Sequence, residues 1–367
     1  MPQTAPLISM KLIDKYILGK FFSTFIYVVL VLNAVICVID YGEKSEDFIK
    51  HKLSVGFIIQ YYYANLIPSL TNMLSPIIVF ITTIFVTARL SARTEIIAIL
   101  ASGVSFMRFL APYMVGATIL GSVAFAATGW IIPKANRGHI AFELLYLKEQ
   151  FYYEARNVHF KVAPNTFAYL QSYNNMSNIG YSFTLEKMEG NRLIEKLAAD
   201  QIRWDSLKRT WHVDRYKVHS FDGDVEIIRE AEGLDTAISL RPKDFESTHR
   251  LHETLTFPEL NTYINEQLAR GNTNVGIFLV EKYERFTYPF AMVILTFMGV
   301  IVTARKSRQG TGIQVAIGIA LAFLFITLVR IFRSVGQAGT IDPMYSACIP
   351  TLLFAIVALV LYKTVPR

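Results

Sequence analysis

The sequence predicts an α-helical membrane protein with six transmembrane helices and one inserted β-jellyroll-like domain. Three observations lead to this fold class. Hydrophobic residues make up 53% of the 367-residue chain and charged residues only 18%, whereas soluble chains carry about a quarter charged residues. The long apolar runs lie towards the two ends of the chain, and the middle alternates polar and apolar residues with period two. Membrane-spanning segments therefore flank a domain of soluble character.

Six apolar runs are long enough to cross a membrane, since about 20 helical residues span the ~30 Å hydrocarbon core. They are Phe21–Ile39, Pro68–Arg89, Phe109–Ile132, Phe286–Thr303, Gly312–Val329 and Met344–Tyr362. Lysine and arginine cluster beside these runs, in keeping with the positive-inside rule. This distribution accounts for the net charge of +7 without nucleic acid as a partner. It predicts that both termini are cytoplasmic and that the central domain is periplasmic.

The segments between the spans have distinct predicted roles. Asp40–Lys52 is predicted as an outer loop, and Val55–Ile67 as an interfacial lead-in that is rich in tyrosine. Lys134–Glu154 is predicted to continue the third span outward as a helix. Phe257–Ala269 has the pattern of an amphipathic helix, and Glu281–Arg285 is a charged cluster expected near the outer face. The basic residues Arg305, Lys306 and Arg308 mark the cytoplasmic end of the fourth span.

The central domain is predicted to be rich in β-strands. Alternation of polar and apolar residues marks Asn157–Val162, Tyr181–Met188 and Trp211–Val218 as strands. Turn-forming residues around Gly190 and at Asp205–Arg209 separate them. Short strands at this spacing indicate an antiparallel sandwich or jelly roll. The predicted organisation is residues 1–133 for three spans, 134–256 for the β-rich domain and 257–367 for a connector and three spans.

No catalytic, cofactor or metal site is predicted. The chain contains no nucleotide-binding, zinc-protease or serine-hydrolase motif. Cys37 and Cys348 lie in apolar runs without metal-ligand spacing, and His249 and His252 have no third ligand nearby. The chain therefore has no recognisable means of hydrolysing ATP, and any work that it performs draws energy from a partner or an ion gradient. Acidic and histidine residues are rare in the spans, which disfavours a proton relay.

The segment between the second and third spans is the most informative motif. Ile96, Ile99 and Leu100 follow a helical period after Glu95, and Gly103 is expected to end the helix. Two interpretations follow from these residues. The helix either lies flat on the lipid surface, which is the simpler interpretation, or presses into a cytoplasmic partner as a coupling element.

The pattern E-x-x-A-x-x-A-S-G-x-S that starts at Glu95 resembles the LptF/LptG (YjgP/YjgQ) permease family of the lipopolysaccharide exporter. Other parts of the chain agree with that family, and the start of the chain is closer to LptG. They are Ile13–Phe25, Pro68, Pro76, Trp130, Pro133, Glu281–Arg285, Pro289, Gly318, Gly339, Pro343 and Pro350. The resemblance covers the whole chain.

This resemblance implies a transport subunit without its own ATPase site. Two permeases of the family, paralogues or copies of one chain, pair above a dimer of cytoplasmic ABC ATPases. They extract lipopolysaccharide from the inner membrane of a Gram-negative bacterium and pass it to a periplasmic bridge protein. Glu95 matches the family's acidic coupling residue, and Arg93, Ile96 and Ile99 lie beside it.

Five basic residues are candidates for contacts with the lipid head group, because cations pair strongly with phosphate in a partly dry site. They are Lys44, Lys134, Arg137, Arg330 and Arg333. The alternative is that they snorkel to ordinary phospholipid. The chain also departs from some relatives, which carry a lysine in the first span where Cys37 stands here.

Two other function classes remain open. A membrane-anchored periplasmic binding or sensor protein would need the β-rich domain but no coupling helix. A membrane-embedded enzyme would need convergent polar groups near the spans. The acidic residues available for such an enzyme lie at the rim, namely Asp40, Glu43, Glu46, Asp47, Glu281 and Glu284.

Overall fold

The computed structural model describes residues 12–147, 156–190, 192–222, 225–245, 250–269, 275–304 and 311–363. The chain forms two compact units. Residues 1–147, 252–262 and 274–367 form a helical unit, and residues 148–251 and 263–273 form a β unit. Residues 134–147 and 252–256, which the sequence assigns to the central domain, thus pack with the helices.

Eight helices of the described residues are labelled here in chain order. They are α1 (Leu12–Lys50), α2 (Val55–Ala92), α3 (Glu95–Ala101), α4 (Phe106–Leu147), α5 (Phe257–Ala269), α6 (Gly276–Thr303), α7 (Thr311–Gln337) and α8 (Pro343–Lys363). All except α3 and α5 are long and apolar enough to cross a membrane. The six predicted spans and the amphipathic helix Phe257–Ala269 are confirmed.

Helices α2 and α6 form the centre of the helical unit. One buried cluster joins them to α1, α3 and α4 through side chains such as Phe21, Phe109 and Met292. A second cluster joins them to α7 and α8 through Phe80 and Phe354. In its most apolar window α2 is 67% buried, whereas α1 is 6% and α7 is 17% buried. Helices α1 and α7 therefore turn most of their apolar surface outward.

Two segments predicted to lie outside the spans are helical instead. Asp40–Lys52 is not a loop, because α1 continues to Lys50 and buries Phe48 against Tyr62. Val55–Ile67, predicted as an interfacial lead-in, is helical and continuous with the second span, because α2 runs through it with a π-helical stretch at Ile58–Tyr63. Tyr62 is fully buried. The end of α1 and the start of α2 pack against each other, and this tertiary contact buries side chains that the local sequence pattern placed outside the core.

Three further helices extend beyond the predicted spans. Helix α4 reaches Leu147, which confirms the outward continuation of the third span up to that residue, while residues 148–154 lie outside the described residues. Helix α6 begins at Gly276, so the charged cluster Glu281–Arg285 lies inside it. Helix α7 ends at Gln337, so Arg330 and Arg333, which follow the predicted span Gly312–Val329, lie within the same helix. The predicted basic cluster at residues 305, 306 and 308 falls outside the described residues.

The β unit contains one antiparallel sheet of seven described strands. The strands are β1 (Val158–Ala163), β2 (Thr166–Leu170), β3 (Ser172–Asn174), β4 (Ile179–Glu189), β5 (Arg192–Asp205), β6 (Thr210–Asp222) and β7 (Val225–Thr236). Their order is β1-β2-β4-β5-β6-β7, with β3 paired to β4. The three strands marked by alternation are confirmed as parts of β1, β4 and β6.

Turn chemistry and a small aromatic core define the β unit. Gly190 has a φ of +60° after β4, and Asp205 accepts backbone hydrogen bonds from Leu207 at 2.8 Å and from Lys208 at 3.1 Å. Both turns fall where the sequence predicts them. One face of the sheet packs around Trp211, which is fully buried and donates its indole N–H to the carbonyl of Leu240 at 2.7 Å.

Candidate functional site

The short helix α3 is held between two sharp backbone turns. Thr94, just before it, has a φ of +57°, and Gly103, just after it, has a φ of +87°. Positive φ at Gly103 costs little because glycine has no Cβ. The Ser105 side chain then caps α4 by accepting a hydrogen bond from the Arg108 backbone N–H at 3.3 Å. The predicted short helix and its stop at Gly103 are confirmed.

Helix α3 has one face in the bundle and one face exposed. Ile96 is 2% exposed and belongs to the buried cluster around Phe109, and Ile99 packs partly against the same cluster. Ile97 is 47% exposed. Ile96 therefore anchors the helix and cannot face a partner, whereas Ile97, which the sequence interpretation did not single out, can.

Glu95 is positioned at the start of α3 and remains accessible. Its Oε2 accepts a hydrogen bond from the Tyr16 hydroxyl of α1 at 2.9 Å. Its Oε1 lies 4.0 Å from an Arg93 guanidinium nitrogen, and the side chain is 27% exposed. A carboxylate is favoured in the first turn of a helix by the helix dipole. The interpretation of the sequence missed Tyr16, since its contact spans 79 residues.

An ion pair fixes the helix ends around α3. Arg108 of α4 pairs with Asp14 of α1 at 2.5 Å, and the Asp14 side chain is only 9% exposed. This end of the helical unit is called the α3 end. The opposite end, which holds Lys50, Gly276 and Gln337, is called the insertion end, because the chain leaves it to form the β unit.

The five predicted head-group cations all belong to helices that reach the insertion end, and three of them pair with carboxylates. Lys44 pairs with Asp40 at 2.6 Å and also contacts the Tyr62 hydroxyl. Arg137 pairs with Glu259 and donates to the Thr254 carbonyl at 3.0 Å. Hydrogen bonds from Arg137 and from Thr256 lower the pKa of Glu259 to about 2.

Arg333 is the third paired cation and belongs to a charged network between α6 and α7. It lies 2.9 Å from Glu281 and 2.7 Å from Glu284. Arg285 also pairs with Glu281, at 3.0 Å. Arg285 further donates to the carbonyls of Leu255 at 2.8 Å and His252 at 3.0 Å. The network joins α6, α7 and the segment before α5.

The remaining two candidates have no carboxylate within 4.0 Å among the described residues. Arg330 is exposed, and its guanidinium contacts the Met73 sulfur at 3.6 Å. Lys134 is exposed on α4. Arg330 and Arg333 both line a cavity of about 150 Å³ between α2, α6, α7 and α8, with apolar walls such as Phe325 and Pro350. The structure thus brings Arg330 and Arg333 together, whereas Lys44, Lys134 and Arg137 do not line this cavity.

The described residues contain no cluster of three or more histidine, cysteine, aspartate or glutamate side chains placed to hold a metal ion. The acidic side chains Asp40, Glu281 and Glu284 are engaged with lysine or arginine.

Comparison with known proteins decides the family. The family model described as lipopolysaccharide export system permease LptF/LptG matches residues 15–364. The chain belongs to the LptF/LptG family. Two curated relatives are the lipopolysaccharide export system permease proteins LptG of Escherichia coli strain K12 and of Escherichia coli O6:H1 strain CFT073. Each is 18% identical over 356 residues, which cover 95% of this chain and 96% of the relative.

Membership of the LptF/LptG family makes the chain an inner-membrane permease with a lipopolysaccharide-export role in a transporter complex. The family model includes both LptF and LptG, so membership alone does not separate the two. The six apolar helices and the antiparallel β unit agree with this assignment.

Proposed function

We propose that the chain is a permease subunit of an ATP-driven exporter that extracts lipopolysaccharide from the inner membrane. In this proposal it passes the lipid to a periplasmic bridge protein. The observation that carries the coupling part is α3, a short helix fixed between two spans with an accessible acidic residue at its start. A helix that only rested on lipid would not need an accessible carboxylate at its start.

The proposed coupling contact is made by Glu95, Arg93 and the exposed side of α3. Ile96 anchors the helix in the bundle, Ile99 supports it, and Ile97 adds an exposed apolar side chain. Because Ile96 packs in the same cluster as side chains of α1, α2, α4 and α6, a displacement of α3 is transmitted to four spans. The partner is proposed to be a dimer of cytoplasmic ABC ATPases, with both termini on the same side.

A second permease of the same family, either a paralogue or a copy of this chain, is proposed to cover the most apolar parts of α1 and α7. Their apolar windows are only 6% and 17% buried, far below the 67% of α2. Lipid alone can cover such surfaces, but two helices with outward-facing apolar stripes are also suited to line a path for a large amphipathic lipid between two subunits.

Arg330 and Lys134 are the most suitable head-group contacts among the five proposed cations, because neither has a described carboxylate within 4.0 Å. Lys44, Arg137 and Arg333 are already paired with carboxylates, so their main role in this proposal is to stabilise the protein. This proposal places the insertion end and the β unit on the periplasmic side.

The first test is purification of the tagged protein from its native membrane in mild detergent, with identification of bound proteins and lipids by mass spectrometry. The expected partners are a cytoplasmic ATPase, a second permease of the family and a lipid A-type glycolipid. The variant Glu95→Arg should lose the ATPase and export while keeping the second permease. The matched variant Tyr16→Phe, which keeps the carboxylate, should keep the ATPase.

A membrane-anchored periplasmic binding or sensor protein is the second candidate function. The observation in its favour is a groove of about 660 Å³ on the β unit, lined by residues that include Phe183, Asp200, Lys217 and Glu230. A protein of this class would be unaffected by Glu95→Arg. Retention of the ATPase and of export by that variant would refute the coupling role of Glu95. Purification of the wild-type protein alone, or with only periplasmic partners, would favour this second function.

A further inference from the structure

A groove between α1 and α2 lies at the α3 end, away from the cations discussed above. It has a volume of about 370 Å³. On α1 it is lined by Gly19, Lys20, Ser23 and Thr24, which lie on one helix face because they are one and four residues apart. A Cβ at Gly19 would meet no atom within 4 Å, so this face is open.

On α2 the groove is lined by Phe85 and Arg89, one helical turn apart. These two are the only exposed residues between Thr82 and Ser91, and Phe85 is 51% exposed. In this stretch the central helix α2 thus exposes one aromatic and one cationic side chain. The groove therefore combines an apolar wall with charge.

The charged residues that line the groove, Lys20 and Arg89, are both cations. None of its lining residues is acidic. Within the described part of the chain, neither Lys20 nor Arg89 has a carboxylate within the 4.0 Å that defines the ion pairs found elsewhere. The Lys20 ammonium lies 4.3 Å from the centre of the Tyr16 ring. The cations that pair internally, such as Arg108 with Asp14, lie outside this groove.

The two cations lie at one boundary of the membrane. Lys20 immediately precedes the apolar run Phe21–Ile39, and Arg89 ends the apolar run Pro68–Arg89. Both therefore fall where hydrocarbon gives way to lipid head groups. Basic pockets between spanning helices at this depth suit anionic head groups. The ammonium, the guanidinium and the hydroxyls of Ser23 and Thr24 supply donors for phosphate oxygens.

We propose that this groove binds the phosphodiester head group of an anionic phospholipid of the leaflet at the α3 end. Lys20 and Arg89 hold the phosphate, and one acyl chain lies along Phe85. The bound lipid joins α1 to α2 beside α3, at a place where these helices expose polar side chains to each other. The site is separate from the path proposed for the exported lipid, and its existence does not depend on the export proposal.

The test measures lipid selectivity of the full-length protein in phosphatidylcholine vesicles. Spin-labelled phosphatidylglycerol and phosphatidylcholine report the immobilised fraction of each lipid. Each basic residue near a membrane surface contributes roughly a fivefold factor in affinity for an anionic lipid. The wild-type protein should therefore prefer phosphatidylglycerol, and the double variant Lys20→Gln/Arg89→Gln should lose at least about fivefold of that preference.

Two further variants make the result specific. Lys15→Gln/Lys363→Gln removes the same amount of charge from exposed residues outside the groove and should keep the preference. Lys20→Arg/Arg89→Lys keeps both charges and should also keep the preference for phosphatidylglycerol. This variant tests the proposal even if the neutral variant folds poorly. An unchanged preference in Lys20→Gln/Arg89→Gln, or an equal loss in the control, would overturn the proposal.

Two further experiments test whether free phosphate or a second copy of the chain occupies the groove instead. If inorganic phosphate binds to the protein in lipid-free detergent and abolishes the preference in vesicles, the site is one for free phosphate and the lipid assignment fails. In a background with Cys37→Ser and Cys348→Ser, Gly19→Cys should remain uncrosslinked in oxidised native membranes. A disulfide-linked dimer through position 19 would show that a second copy covers the groove.

Discussion

Replacement of Arg333 by glutamine should destabilise the helical unit. Arg333 is the only described cation within 4.0 Å of Glu284, and it shares Glu281 with Arg285. The side chains of Glu281 and Glu284 are 13% and 16% exposed, and that of Arg333 is 25% exposed. The variant therefore leaves one largely buried carboxylate without a cation.

The expected cost follows from this burial. Removing one partner of a buried ion pair typically costs about 3–5 kcal/mol, because the other charge remains desolvated and unpaired. Arg333 retains some contact with solvent, so a loss near the lower limit, about 3 kcal/mol, is expected for Arg333→Gln. The double variant Arg333→Gln/Glu284→Gln removes the unpaired charge as well and should lose only about 1 kcal/mol.

The assay is thermal unfolding in detergent at one fixed scan rate, with chemical unfolding of the same variants. A fixed rate is needed because irreversible unfolding makes the midpoint depend on it. The matched control is Arg330→Gln, which removes an equal charge from an exposed residue. Arg330 lies one helical turn from Arg333. It should change stability by less than about 0.5 kcal/mol.

Two results would refute this reasoning. The first is equal stability of Arg333→Gln and Arg330→Gln, which would mean that the network contributes nothing. The second is a double variant no more stable than Arg333→Gln, which would show that the unpaired carboxylate is not the source of the loss. A defect in lipid binding at unchanged stability would instead identify Arg333 as a head-group contact.

Three other predictions concern packing, the β unit and pH. Gly121→Leu should cost about 1–3 kcal/mol in thermal unfolding, because a Cβ at Gly121 already lies 3.3 Å from backbone atoms of Pro289; Gly42→Leu, where a Cβ meets nothing within 4 Å, should not. Trp211→Phe should cost about 1–3 kcal/mol by leaving a buried carbonyl without its indole donor, and near-ultraviolet circular dichroism would follow that unfolding. Glu259→Gln should lower the unfolding midpoint at neutral pH. The pKa of Glu259 in the folded protein is about 2, below its ordinary value of 4.5. Its contribution to stability is therefore complete above pH 4.5 and is lost as the pH falls towards 2, where the wild-type protein and the variant should have equal midpoints. A difference between the two midpoints that stays constant with pH would contradict this assignment.

The sequence by itself determined the features that depend on local patterns. Runs of about 20 apolar residues identify spans regardless of what packs beside them, and all six were found. The helix at Glu95–Ala101 and the turn at Gly103 follow from a helical period and a glycine with positive φ. The alternation of residues likewise identified parts of β1, β4 and β6. The resemblance to the LptF/LptG family also came from the order of motifs along the chain.

Only the tertiary structure decided which side chains meet, because the side-chain contacts described here depend on which helices become neighbours. Residues 281 and 333 are far apart in the chain, yet their side chains pair between α6 and α7. Tyr62 resembles an interfacial residue in sequence but is buried by the end of α1. The sequence could mark Arg333 as a cation near a membrane boundary, but not that a carboxylate neutralises it. Burial removes water from such charges, so their partners determine whether they bind a lipid or hold two helices together.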